Sequence, residues 1–293
     1  MIGDSSKTIR CYAKINLGLR IQRKREDGYH DIITVLRYVD VFDTLEFTRT
    51  PGGISMECDH AELPCDAGNL CIRAAEAVCE KLGRSGVHMR LNKRIPIGAG
   101  LGGGSSDAAG VLRALPALFG MRIDECELRS IAIRLGADVP FFLQDSTAEA
   151  RGRGDILRPF DMSWPWWILL VRPPVSVSTA WAYASLRLSG EQPDLPLRDL
   201  LLRAPRDEAL LSKALINDFE ATVMLACPII SQVKSTLLDS GAIAALMSGS
   251  GSAVFGLFRD QASALAVKAD FDKTNEVFLS APDFAPVLFD SNL

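Results

Sequence analysis

Little in this chain could hold a metal ion or a disulfide framework. Its three histidines, His30, His60 and His88, stand apart, and none of its seven cysteines forms a Cys-x-x-Cys pair. That excludes a zinc ribbon and points to a reducing cytoplasm. An excess of one charge is also missing. With 32 Lys and Arg against 36 Asp and Glu, the net charge of −4 gives no bulk attraction to nucleic acid or an anionic membrane. No basic region leads into an apolar run at the N-terminus, so no signal peptide is expected. One uncharged window, residues 240–258, has 8 Gly or Ser among its 19 residues, concentrated in Ser248-Gly249-Ser250-Gly251-Ser252. That composition suits a loop between a buried element and a strand, not a lipid-facing helix.

What the chain has in abundance is glycine in one place. Pro96-Ile97-Gly98-Ala99-Gly100-Leu101-Gly102-Gly103-Gly104-Ser105-Ser106 carries five glycines in the seven residues from Gly98, and residues 108–119 read as a helix. Backbone without Cβ lets N–H groups converge on an anion, and a helix N-terminus adds partial positive charge. The reading is a phosphate cradle, with Ser105 or Ser106 at the helix cap. Gly98-x-Gly100-x-x-Gly103 formally matches the dinucleotide fingerprint, but it lies a third of the way along the chain and its ribose-reading acid would be only a nominal Asp124. No lysine follows Gly104, so it is not a Walker A loop, and the protein-kinase and serine-hydrolase motifs are absent.

Around the loop, residues 8–20 and 87–91 read as strands and residues 32–47 as two strands. Residues 70–82 and 124–135 show helical periodicity, with Gly83 and Gly136 as stops. Residues 136–142 suggest a turn entering a strand, and 149–157 a bent strand. Farther on, 166–171 reads as a strand and 179–188 as a helix. Residues 195–225 read as a helix broken at Ala204-Pro205, and 229–238 as another. Strands and helices segregate, so the fold class is α+β, with domains over 1–160 and 161–293.

The run from Pro96 to Ala108 resembles the central motif of the GHMP small-molecule kinases. Further blocks match in order: Ala13-Lys14-Ile15-Asn16-Leu17, Arg25-Glu26-Asp27-Gly28-Tyr29-His30, Gly136-Ala137-Asp138-Val139-Pro140, Gly152-Arg153-Gly154-Asp155, Asn217-Asp218-Phe219-Glu220 and Ser248-Gly249-Ser250-Gly251. The resemblance implies a two-domain kinase with its active site in the cleft, using ATP and Mg²⁺. The Tyr29-His30 block belongs to the branch whose acceptor is a cytidine diphosphate-linked methylerythritol, phosphorylated on its 2-hydroxyl in non-mevalonate isoprenoid biosynthesis. Kinases for homoserine, mevalonate or a sugar, or a catalytically silent nucleotide binder of the same fold, are the alternatives.

Carried over residue by residue, the resemblance makes Asp138 the catalytic aspartate and places Lys14 beside it. A lysine within an apolar strand is itself unusual. Such a pair favours positioning and charge stabilisation over strong base catalysis. The loop from Pro96 to Ser106 takes the ATP phosphates, and Asn69 sits near the nucleotide base. For the acceptor, Tyr29 and Tyr183 offer two planes for a cytosine whose polar edge His30 reads. Asn16 and Thr179 are secondary contacts, and Gly249 and Ser250 approach the substrate phosphates. No side chain is assigned to Mg²⁺, and the oligomeric state is left open.

Overall fold

The computed structural model describes residues 6–187, 192, 194–271 and 273–288. Two long strands carry the first sheet. Strand β1 (Ser6–Lys24) pairs antiparallel with β2 (His30–Arg49) along nearly its whole length. Strands β3 (Ile54–Cys58), β4 (Val87–Asn92), β5 (Ala148–Gly152) and β6 (Ile156–Pro159) complete it in the order β3-β4-β2-β5-β6, and the β3–β4 pair is parallel. The two strands expected in 32–47 are one. β2 runs unbroken because β1 occupies one edge while β5 and then β4 occupy the other. The bent strand expected over 149–157 is a hairpin, β5–β6, turned at residues 153–155.

Helices α1 (Leu70–Leu82), α2 (Gly103–Leu118) and α3 (Glu125–Leu135) pack on one face of this sheet. Val78, Val111, Leu112 and Leu115 share a buried cluster with Ile9, Leu45, Phe47 and Met89. Gly83 closes α1 as its spacing predicts. Asp124 is the N-cap of α3, its carboxylate accepting the Cys126 N–H, which accounts for that acid without a ribose. The strand expected after Gly136 is absent. Residues 137–140 form a turn followed by a 3₁₀ turn (Phe141–Leu143), whose Phe141 stacks on Tyr38 at 4.8 Å.

The second half contains β7 (Trp167–Arg172), α4 (Thr179–Ala184), α5 (Leu197–Arg203), α6 (Leu211–Ala214), α7 (Glu220–Ala226), α8 (Pro228–Asp239), β8 (Ala244–Met247), β9 (Val254–Phe258), α9 (Gln261–Phe271) and β10 (Glu276–Ser280). Its sheet, order β10-β7-β9-β8, is antiparallel throughout. The long helix expected over 195–225 is cut into α5, α6 and α7. The break after α6 exists because Leu19 takes that backbone: its N–H donates to Ile216 O at 2.7 Å and its carbonyl accepts the Asp218 N–H at 3.0 Å. The helix expected over 179–188 ends at Ala184, and position 188 lies outside the described residues.

The other face of the first sheet meets the second. Ala13, Ile15, Leu17, Ile33 and Val35 are buried with Trp164, Ile168, Leu170 and Phe255 in one cluster. A bulge between Tyr12 and Lys14 re-aims β1 at this point. Ala13 and Ile15 enter the shared core, while Lys14 and Asn16 face a cleft between the two halves. Among the described residues no single helix is long and apolar enough to cross a membrane.

Candidate active site

The glycine loop is wired for an anion. Gly98, Gly100 and Gly102 all have positive φ (65°, 76° and 73°), so the chain zigzags and its amides turn to one side. The carbonyls from Gly98 to Gly102 are all taken. Gly98 O accepts from Val177 N, Ala99 O from Ala253 N, Leu101 O from Lys14 N and Gly102 O from Ser106 N. Gly100 O accepts from both Lys14 Nζ (2.9 Å) and Ser248 Oγ (3.1 Å). The N–H groups from Ile97 to Ser105, by contrast, find no acceptor among the described residues. A row of tethered carbonyls and free amides, at the N-terminus of a 16-residue helix, is a built anion cradle.

One sequence expectation changes here. Helix α2 begins at Gly103, earlier than the apolar pattern indicates, and its N-cap is Gly102, which has no side chain to bond. Neither serine is the cap. Ser106 is buried and its hydroxyl donates to Tyr12 O at 2.7 Å, so it faces β1 and not the cleft. Ser105 lines the cleft. Of the two serines, Ser105 is thus the one on the cleft side.

Lys14 joins the cradle to Asp138. Its buried ammonium donates to Asn16 Oδ1 at 2.8 Å and to Gly100 O at 2.9 Å, and lies 3.6 Å from Asp138 Oδ2. Asn16 in turn donates to Thr34 Oγ1. An ammonium with three fixed partners is a rigid pivot, and Asp138, 37% exposed, is the partner that reaches solvent. Asn217 holds the opposing loop, donating to Met247 O and Gly249 O at 2.8 Å each.

Lys93 ties β2 to α2 in a buried ion cluster that sequence reading did not find. Lys93 Nζ contacts Asp43 Oδ2, and donates to Asp107 Oδ2 at 2.8 Å. Asp43 Oδ1 also accepts the N–H groups of Arg94 and Ile95. Asp107 Oδ1 has no hydrogen-bond partner among the described residues, and burial, aided by Asp43, pushes this carboxyl up to about 7 against the pull of Lys93. Burial disfavours the Lys93 charge, but the two carboxylates outweigh it and raise its pKa. This cluster fixes both the entrance and the exit of the glycine loop. Lys93→Ala, leaving two carboxylates buried without their cation, is expected to cost about 3–5 kcal/mol in urea unfolding. An unchanged midpoint would show that the cluster does not hold the loop.

The cradle, Lys14, Asn16 and Asp138 line one cleft of about 1210 Å³, large enough for two nucleotide-sized ligands. Every carried-over site residue except Ser106 lines it. At the far end, Tyr183 stacks on His30 (4.9 Å, 23°) and meets Phe219 edge-on. Tyr29 makes neither contact, so the two tyrosines are not stacked on each other. Burial and the nearby Lys24 lower the His30 pKa, and burial together with Asp138 pushes Tyr183 up to about 12. Thr179 Oγ1 and Ser250 Oγ pair at 2.9 Å. Asn69 lies at the rim, but its side chain is engaged as the cap of α1, accepting from Cys71 N and donating to Pro64 O. Among the described residues no three His, Cys, Asp or Glu side chains cluster as a metal cage.

Comparison with known proteins matches residues 69–146 to the GHMP kinases N terminal domain and residues 197–276 to the GHMP kinases C terminal family. A 4-diphosphocytidyl-2-C-methyl-D-erythritol kinase of Chlorobium phaeovibrioides is 44% identical over 283 residues, 95% of this chain and 97% of that protein. The chain belongs to the 4-diphosphocytidyl-2-C-methyl-D-erythritol kinase family. A further member, from Chlorobaculum parvum, is 45% identical over 260 residues, 88% of this chain and 91% of its own. The crystal structure of a 4-(cytidine 5'-diphospho)-2C-methyl-D-erythritol kinase matches with a TM-score of 0.80 at 36% identity, over 93% of this chain and 98% of that one. A homoserine kinase from Cytophaga hutchinsonii shares the fold, with a TM-score of 0.75 at 20% identity over 99% of each chain. The α+β GHMP kinase architecture expected from the motifs is the architecture of this family member.

Proposed function

We propose that this kinase transfers the γ-phosphoryl group of ATP to the 2-hydroxyl of 4-diphosphocytidyl-2-C-methyl-D-erythritol, with residues 1–160 and 161–293 as its two domains. The observation that carries the reading is the Lys14 ammonium, which binds Gly100 O of the phosphate cradle and sits 3.6 Å from Asp138. The group that holds the donor and the group that faces the acceptor are thereby fixed to one atom. ATP phosphates lie on the free amides of Ile97 to Ser105, with Asn69 near the base. The acceptor lies toward Tyr29, His30 and Tyr183, with Asn16 and Thr179 as secondary contacts and Gly249 and Ser250 along its phosphates.

Asp138 accepts the hydrogen bond of the acceptor hydroxyl. As the oxygen bonds to the γ-phosphorus and the bond to the β-phosphate oxygen breaks, the hydroxyl proton passes to the carboxylate. Lys14 holds Asp138 in place and contributes positive charge where phosphoryl charge moves. Mg²⁺ would suit a site of this kind: it would be held largely by nucleotide phosphates and water, Ser105 and Asp138 would be the side chains to offer it oxygens, and it would supply charge neutralisation. Coupling ADP release to addition of the cytidyl acceptor tests the function. Turnover is expected with that acceptor and not with homoserine or mevalonate, and the reverse preference would reject it.

A further inference from the structure

Register explains an unassigned cation at the acceptor end of the cleft. Ile32 of β2 pairs with Gly152 of β5, so the β5–β6 turn is carried to the same end of the sheet as the turn between β1 and β2. There the Arg153 guanidinium lies over the Tyr29 ring, 4.6 Å from its centroid. Tyr29 is 56% exposed and has no aromatic partner among the described residues, so Arg153 is the group that covers its ring. The Arg153 side chain is itself 30% exposed and its carboxylate neighbour, Asp155, stands off at 3.8 Å. Of the four cations lining the cleft, Lys14 is committed to Asp138 and Lys93 to the buried Asp43 and Asp107, leaving Arg153 and Lys24 at the Tyr29 end.

We propose that Arg153 is a specificity-determining positioning residue for the acceptor, holding Tyr29 as the outer wall of the slot that receives the acceptor's base. A guanidinium plane on one ring face fixes the ring's orientation and leaves the opposite face for a planar ligand. The slot's inner wall is the His30–Tyr183 stack. Arg153 acts through Tyr29 and touches neither the cradle nor the Lys14–Asp138 pair. This inference rests on the acceptor reading above.

A double-mutant cycle on the full chain tests it, reading acceptor KM, ATP KM and kcat, with CDP as a competitive probe of the acceptor end. Arg153→Ala is expected to raise acceptor KM and the CDP inhibition constant together, by about three- to tenfold. ATP KM and kcat should change by less than the acceptor terms. Arg153→Lys, which keeps the charge but not the flat face, should recover only part of the loss. Adding Arg153→Ala to Tyr29→Ala should cost nothing more, because the first residue works through the second. Additive losses, or acceptor KM unmoved in Arg153→Ala, would overturn the proposal while leaving the kinase reading standing. If the unmodified enzyme neither uses the cytidyl acceptor nor binds CDP, the functional reading falls and this inference falls with it.

Discussion

Asp138→Ala is expected to lower kcat by about 10²–10⁴-fold while leaving ATP binding nearly unchanged. The carboxylate stands at the cleft end of the Lys14 pivot, 37% exposed, with its 3.6 Å contact to the ammonium as its one ion pair among the described residues. None of the carbonyl tethers of the glycine loop runs through it. The cradle therefore survives its removal, whereas the acceptor hydroxyl loses its partner. Titration with a non-hydrolysable ATP analogue and steady-state turnover separate the two effects. Asp138→Asn refines the result, because an amide can orient a hydroxyl but cannot take its proton. A rate near that of the unmodified enzyme in Asp138→Asn would make Asp138 an orienting group, and one as low as in Asp138→Ala would make proton acceptance its task. Near-normal turnover in Asp138→Ala would remove it from the chemistry altogether.

What could be read in the sequence was local, and what could not was decided across the chain. Helix α1 and its Gly83 stop follow from apolar spacing within 14 residues, and the structure reproduces both. Lys14 stood out because an ammonium in an apolar strand needs partners, and three are present. The continuity of β2 depends instead on three partner strands, one of them more than a hundred residues away. The same is true of the break after α6, where Leu19 captures backbone that apolar periodicity would keep helical. Lys93 escaped notice because its carboxylates come from β2 and α2, and only packing makes three exposed-type residues into a buried cluster. Arg153 sat inside a matching block, but its role depends on the β2–β5 register. The capping serines misled because Ser and Thr are the ordinary helix caps. Here the left-handed Gly102 ends the loop, and Ser106 is spent on β1.

Gly100→Ala is expected to cost both stability and turnover. At φ +76° a Cβ is strained wherever it points, and here it would stand 2.1 Å from Ser248 O and 3.2 Å from Gly251 N, both backbone. Neither wall can yield cheaply. Gly100 is held by Lys14 Nζ and Ser248 Oγ, and the opposing loop by the two Asn217 amide bonds. Relieving the clash must part the two loops by about 1 Å, which breaks the Lys14–Gly100 contact and uncouples the cradle from Asp138. Displacement of that order costs about 100-fold in kcat/KM, with about 1–3 kcal/mol of backbone strain added to the stability loss. Gly104→Ala is the matched control for stability, since a Cβ there meets only a Leu70 methyl at 4.0 Å and sits in the first turn of α2. Its melting temperature should equal or exceed that of the unmodified protein, because alanine favours helix over glycine by about 0.5–1 kcal/mol. If Gly100→Ala melts and turns over like the unmodified enzyme, the two glycine-rich loops are not locked together, and the coupling of donor to acceptor must be sought outside the Lys14 pivot.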